Sequence, residues 1–221
     1  MKAPFTLFFG IFVVMALSNA IVPVLPSYTG SSSLQGAIYA AYFLGAFLST
    51  LPAGMLSDRF GRVPLIRSGL VITAASGLLL SMNFAPYPVL AARFIEGIGG
   101  GCFVAATMSY VNSRTDHEKM SGYYMALLNA GLVTGLVLAG WLASYSGEPA
   151  AGILLFTGLA LVCACISFFM QDAGHRTAPF SPVVFVSFVR DYRWLWFSSV
   201  VLIWRCTPTS ASCGSTRAPR E

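Results

Sequence analysis

The stretch Gly54-Met55-Leu56-Ser57-Asp58-Arg59-Phe60-Gly61-Arg62 decides how this chain reads. It gathers three charges and two glycines into nine residues. Apolar runs of membrane length, 34–56 and 68–85, flank it. A charged turn that short, held between two such runs, reads as a tight connection at a membrane surface.

Composition supports that reading. The 221 residues are 56% hydrophobic and 14% aromatic, and only 10% are charged. Soluble domains carry about 25% charged residues. A bilayer-crossing helix needs roughly 20 mostly apolar residues. Six segments meet that need: 4–28, 34–56, 68–85, 87–110, 122–145 and 150–170. Their connections are short, so neighbouring helices should run antiparallel. An open sheet in lipid is excluded by its unpaired edges, and no barrel-type alternation is present. The expected class is an all-α membrane protein.

The net charge of +5 is placed by the spans. Connections 29–33 and near 86 carry no charge, and the connection between spans five and six carries only Glu148. The other side holds Lys2, Arg59, Arg62, Arg67, Arg114, Lys119, Arg176, Arg190 and Arg193. Lys and Arg gather on cytoplasmic loops. The expectation is a multi-pass protein of the cell (inner) membrane with a cytoplasmic N-terminus. Nucleic acid is not an expected partner; membrane lipid is. The apolar run at the N-terminus continues through Ile21, Val22, Val24 and Leu25, past the ~7–15 residues of a secretory signal. It reads as a retained first span.

The six spans make one bundle, 1–170. Residues 171–193 read as a cytoplasmic linker, and 194–204 as the start of a seventh span, too short to cross. The tail 205–221 replaces an apolar run with Ser, Thr, Arg and Pro. It reads as aberrant and disordered, the product of a frameshift or truncation near residue 205.

Arg93 and Glu96 are the ionisable pair well inside a span. A charge at the bilayer centre costs at least ~2.5–3.5 kcal/mol on insertion scales, so it should face protein or water. Their i, i+3 spacing puts both on one helix face. One reading is a proton or substrate coupling site, with Glu96 taking a proton and Arg93 tuning it or holding an anion. The other is a satisfied internal pair reaching Asn19 or Gln35. Asn19, Gln35, Tyr39, Tyr42, Asn129 and Thr134 are cavity candidates, against the plainer role of helix–helix glue. Gly131 and Gly135 form a face of small residues that lets helices approach. The cysteines show no C-x-x-C spacing and read as small apolar side chains. No metal or cofactor site is expected.

Gly54, Leu56, Ser57, Asp58, Arg59, Gly61 and Arg62 match the loop signature G-x-L-[AS]-D-R-x-G-R-[RK] of the major facilitator superfamily, with Val63 replacing the last basic residue. Arg93, Gly97 and Gly99 match that family's span-four pattern, R-x-x-x-G-x-G, where Gln is common at the place of Glu96. The first span, ending Val22-Pro23-Val24-Leu25-Pro26-Ser27-Tyr28, resembles the family's proton-coupled drug and metabolite exporters. The span-five Gly-Pro pair of antiporters is absent. The resemblance implies a six-helix bundle of two inverted three-helix repeats, one half of the family fold, plus an incomplete seventh helix. It implies that Gly54, Asp58, Arg59, Gly61 and Arg62 form a conformational latch, with Asp58 meeting a helix end in the opposite half.

The expected function is secondary active transport of a small organic solute, a drug or metabolite, coupled to protons. The alternative is a non-transporting fragment, or a six-span half-transporter that must pair with a second six-helix half. An enzyme is not expected: both histidines, His117 and His175, lie in loops.

Overall fold

The computed structural model describes residues 2–82 and 85–170, all within one compact unit. The side chains of Lys2, Ala3, Pro4 and Asp58 are outside that description. The expected linker 171–193, seventh-span start 194–204 and tail 205–221 also lie outside the described residues.

Every regular element among the described residues is a helix. The first span is interrupted: α1 (Lys2–Ala20) gives way to a single tight turn, Val22–Val24, and then to α2 (Leu25–Tyr28). Pro23 and Pro26 cause the break, since neither has an N–H for the helix ladder and each fits the first turn of a new element. The remaining helices are α3 (Ser32–Phe60), α4 (Arg62–Met82), α5 (Pro86–Asn112), α6 (His117–Ser146) and α7 (Ala151–Ser167). Among the described residues, five spans are long and apolar enough to cross a membrane, and α7 is a shorter apolar helix. Its 17 residues rise about 26 Å. Backbone turns at Phe168, Phe169 and Met170 continue it, their N–H groups donating to Cys165, Ile166 and Ser167 carbonyls.

The Gly54–Arg62 stretch corrects one expectation. It is helix rather than loop as far as Phe60, so α3 runs four residues beyond the expected end at 56. Nothing between Leu56 and Phe60 breaks a helix. Gly61 does, at φ 99°, a backbone angle L side chains resist. Its N–H donates to the Ser57 carbonyl at 3.1 Å, and α4 begins at the next residue rather than at 68.

Packing follows a pseudo-twofold pattern. α3 packs chiefly on α5, and α1 packs chiefly on α6. α4 lies against both α5 and α7, and α1 also touches α7. Exchanging α1 with α5, α3 with α6 and α4 with α7 maps these contacts onto one another. That is the contact pattern of two inverted three-helix repeats.

Glycine makes the close approaches. A Cβ at Gly97 would strike the Tyr42 carbonyl of α3, and one at Gly101 would lie 2.7 Å from the Ala46 carbonyl. On the other pair, a Cβ at Gly135 would lie 2.7 Å from Ala16 Cα, and one at Gly131 would lie 3.1 Å from Phe12 Cα. In lipid, where apolar burial drives little helix association, such approaches supply the dispersion contact that holds helices together.

The basic residues share one end of the bundle. Arg62 Nε donates to Ser109 Oγ at 3.1 Å and Nη1 donates to Ser113 Oγ, tying the start of α4 to the end of α5. Arg67 caps α7, donating from Nε to the Ser167 carbonyl (3.0 Å) and from Nη2 to the Phe168 carbonyl (3.1 Å) and Met170 carbonyl (2.5 Å). The end carbonyls of a helix lack the ladder donors of its interior, and a cation there also suits the helix dipole.

Candidate functional site

A cavity of about 360 Å³ lies between the α1–α6 pair and the α3–α5 pair. Small-molecule sites run about 300–1,000 Å³. Its wall takes Met15, Ser18 and Asn19 from α1, one helical turn of a single face. From α3 come Tyr39, Tyr42, Phe43, Ala46 and Thr50, again at helical spacing. Leu128 and Leu132 close it from α6. From α5 come Arg93, Gly100, Gly101 and Val104.

Arg93 sits at this wall with its side chain only 1% exposed. Its Nη1 donates to Glu96 Oε2 at 2.6 Å, and Nη2 donates to the Ser18 carbonyl at 3.0 Å. The guanidinium carbon stands 4.8 Å from the Tyr42 ring centroid, a cation–π distance. The bond to Ser18 ties α5 to α1, and so links the two helix pairs. Arg93 Nε and Glu96 Oε1 have no hydrogen-bond partner among the described residues. The pair is therefore neutral as a unit, fully buried and only partly satisfied.

Three successive glycines on α5 make this placement possible. Gly99 faces Thr73 of α4, Gly100 faces the Tyr42 hydroxyl, and Gly101 faces Ala46. Each points about 100° from the last, so α5 is approached closely by α4 on one side and by α3 on the adjoining one.

The structure separates the other expected residues. Asn19 lines the cavity and its Nδ2 donates to the Leu132 carbonyl at 3.1 Å, bridging α1 and α6. Tyr39 and Tyr42 line it too. Gln35 does not: near the start of α3, its Nε2 donates to the Thr29 carbonyl at 2.7 Å. Asn129 is exposed and donates to the Met125 carbonyl of its own helix at 2.8 Å. Thr134 is absent from the lining as well. The expected contact of the ion pair with Asn19 or Gln35 is replaced by one to the Ser18 backbone.

At the basic end, Arg59 lies 5.4 Å from the Phe60 ring centroid. A Cβ at Gly54 would meet nothing within 4 Å, so its smallness serves no packing among the described residues. At the end of α5, Ser109 and Ser113 both accept from Arg62. Ser18, Met15 and Phe43 were not among the expected site residues. Stepping one helical turn back from Asn19 finds Met15, and one turn on from Tyr39 finds Phe43; Ser18 takes part through its backbone carbonyl, which no side-chain pattern marks. Arg67's capping role had no sequence signal, because its acceptors are backbone carbonyls a hundred residues away. Cys102, Cys163 and Cys165 are free thiols, and no metal-ligating cluster occurs among the described residues.

Comparison with known proteins agrees with this architecture. The chain is 27% identical over 168 residues to the quinolone resistance protein NorA of Staphylococcus aureus (strain MRSA252), covering 70% of this chain and 43% of that protein. It is 27% identical over 184 residues to the class C tetracycline resistance protein of Escherichia coli, covering 79% and 46%. The chain thus spans less than half the length of these relatives. The crystal structure of a peptide transporter in complex with sulfate matches with a TM-score of 0.69 at 16% identity, over 93% of this chain and 46% of the other. That likeness is one of fold. The Major Facilitator Superfamily profile matches residues 7–212. With its inverted repeats and apolar helices around a central cavity, this multi-pass membrane chain belongs to the Major Facilitator Superfamily, a family of transporters rather than enzymes.

Proposed function

We propose that this chain is one half of a secondary active carrier for a small organic solute, a drug or metabolite, coupled to protons. The buried Arg93–Glu96 pair at the wall of a ligand-sized cavity carries this reading. Buried ionisable groups in a span are costly, and solute or ion pathways are where they occur. Glu96 is the proton site and Arg93 its partner; Asn19, Tyr39 and Tyr42 contact the solute.

The basic end faces the cytoplasm of a cell (inner) membrane, following the charge bias of the connections. The carrier pairs this half with a second six-helix half. Much of α3 and α6 supports the pairing, since large apolar side chains such as Phe43, Phe47, Leu51, Val133, Val137 and Trp141 stand exposed there. Gly54, Asp58, Arg59, Gly61 and Arg62 act as the latch between halves, and the open face of Gly54 leaves room for a helix from the partner.

The test is solute flux into proteoliposomes with and without a pH gradient, for this chain alone and with a second half. Flux that requires the second half and follows the gradient supports the reading. Flux indifferent to the gradient sinks proton coupling. Asp58→Asn should slow cycling while leaving the folded fraction unchanged; wild-type rates in that variant refute the latch.

A further inference from the structure

The ion pair does not meet the cavity evenly. Arg93 lines it and Glu96 does not. A ligand in the cavity therefore reaches the cation first, with the carboxylate behind it on the same helix. While Glu96 is ionised, its charge already occupies the guanidinium through Nη1. An anionic ligand would then sit beside a second negative charge.

A proton on Glu96 removes that conflict. Nη1 loses its anionic partner, and Nε has no acceptor to begin with. Nη2 stays on the Ser18 carbonyl, and the Tyr42 ring keeps the guanidinium in place. The cation is then held in position at the wall of a mostly apolar chamber, with Nε and Nη1 free to donate. Arg binds planar oxyanions well because its donors match their geometry.

Resting on the transport-site reading above, we propose that the cavity binds a solute carrying a carboxylate, held by Arg93, and that each anion bound brings one proton onto Glu96. The proton comes from bulk water and converts the Glu96 carboxylate to the acid; no covalent bond forms with the solute. Tyr39, Phe43, Met15, Leu128 and Leu132 enclose the ligand's body, which is accordingly apolar or aromatic. Coupling of this kind is reciprocal: the anion raises proton affinity as much as the proton raises anion affinity. Proton and solute thus favour one loaded state and move in the same direction. A site where a cationic solute displaces the proton would have to present Glu96 to the cavity, and this one presents Arg93.

The ionisable groups that bear on Glu96 are few. Arg93 faces it from its own helix and Tyr42 from α3. On α6, Tyr124 feels Tyr42. The ionisable residues of α1 and α4 are Lys2, Arg62 and Arg67, all at the basic end.

The test uses the chain in lipid nanodiscs with three probes of one shape: naphthoate, naphthylmethanol and naphthylmethylammonium. Calorimetry in two buffers of different ionisation enthalpy counts the protons taken up on binding. Naphthoate should bind best, with uptake approaching one proton. Its affinity should fall up to about tenfold per pH unit as pH rises, as one linked proton requires. Glu96→Gln should keep naphthoate binding but lose both the proton uptake and the pH dependence. Arg93→Gln should weaken naphthoate about tenfold or more and leave naphthylmethanol unaffected. If either variant fails to fold, uptake by the unaltered chain still decides. Preference for naphthylmethylammonium with proton release, or naphthoate binding without uptake, overturns the proposal. Failure to bind any probe, while the paired carrier shows proton-driven flux, overturns the anion site and leaves the transport reading. Naphthoate binding with uptake but no flux supports the site and counts against transport.

Discussion

The α1–α6 and α3–α5 pairs answer the same packing problem and differ in chemistry. Each is closed by two glycines four residues apart, Gly131 and Gly135 on one, Gly97 and Gly101 on the other. The pseudo-twofold exchange carries one pair onto the other. Yet α1–α6 joins its helices through a neutral hydrogen bond, Asn19 to the Leu132 carbonyl. The α3–α5 pair holds a buried ion pair under an aromatic ring. Packing is repeated across the repeats, and the charged site is not. The charges stand where the repeats have diverged, on the half of the cavity that differs from its mirror.

The largest expected effect tests the shared packing. Gly97→Val and Gly135→Val should each disrupt folding, because the new side chain meets backbone that cannot move aside. Overpacking costs about 1–3 kcal/mol and sometimes more. Folded yield and unfolding in denaturing detergent should fall for both alike; a tolerant Gly135 would show that only α3–α5 depends on close approach.

Next comes the chemistry that separates the pairs. Arg93→Ala leaves Glu96 buried without its partner and should cost about 3–5 kcal/mol in unfolding free energy. The double variant Arg93→Met with Glu96→Met should recover most of that loss while abolishing function. Recovery of stability without activity would place the pair in function; failure to recover would mark it as structural.

Arg67→Gln should loosen the end of α7 by about 1.5–3 kcal/mol, the range for hydrogen bonds to a charged group. Faster amide exchange at 166–170, with the rest of the bundle unchanged, would show it. Asn19→Ala should cost only about 0.6 kcal/mol, the average for interhelical hydrogen bonds in a membrane. A loss equal to that of Arg93→Ala would erase the contrast between the two pairs. The smallest effect belongs to Gly54→Ala. Its Cβ meets nothing, so the stability of this chain should hold or rise slightly. Reduced flux in the paired carrier would then locate Gly54 at a contact with the second half.

Much of this was legible in the residues. The spans followed from apolar runs of membrane length, and the gathering of Arg59, Arg62, Arg67, Arg114 and Lys119 at one end followed from counting charges by connection. Gly54–Arg62 and Arg93–Gly101 pointed to the family before any contact was known. What misled was local: a charged, glycine-containing stretch looks like a loop, yet helix hydrogen bonds persist until a residue forbids them, and here that residue is Gly61. Gln35 and Asn129 looked equivalent to Asn19, since polarity in a span gives no direction. Only helix rotation and neighbours turned Asn19 toward the cavity and Gln35 toward the Thr29 carbonyl.

The sequence by itself determined the class, the spans, their charge asymmetry and the presence of one buried ion pair, because burial in lipid and charge placement are written residue by residue. Tertiary structure decided which side of that pair meets the cavity. Arg93 and Glu96 share one helix face, and only the approach of α1 and α3 places Ser18 and Tyr42 around the cation and leaves Glu96 behind it. Contacts between residues far apart in sequence set that arrangement, and no local pattern encodes them.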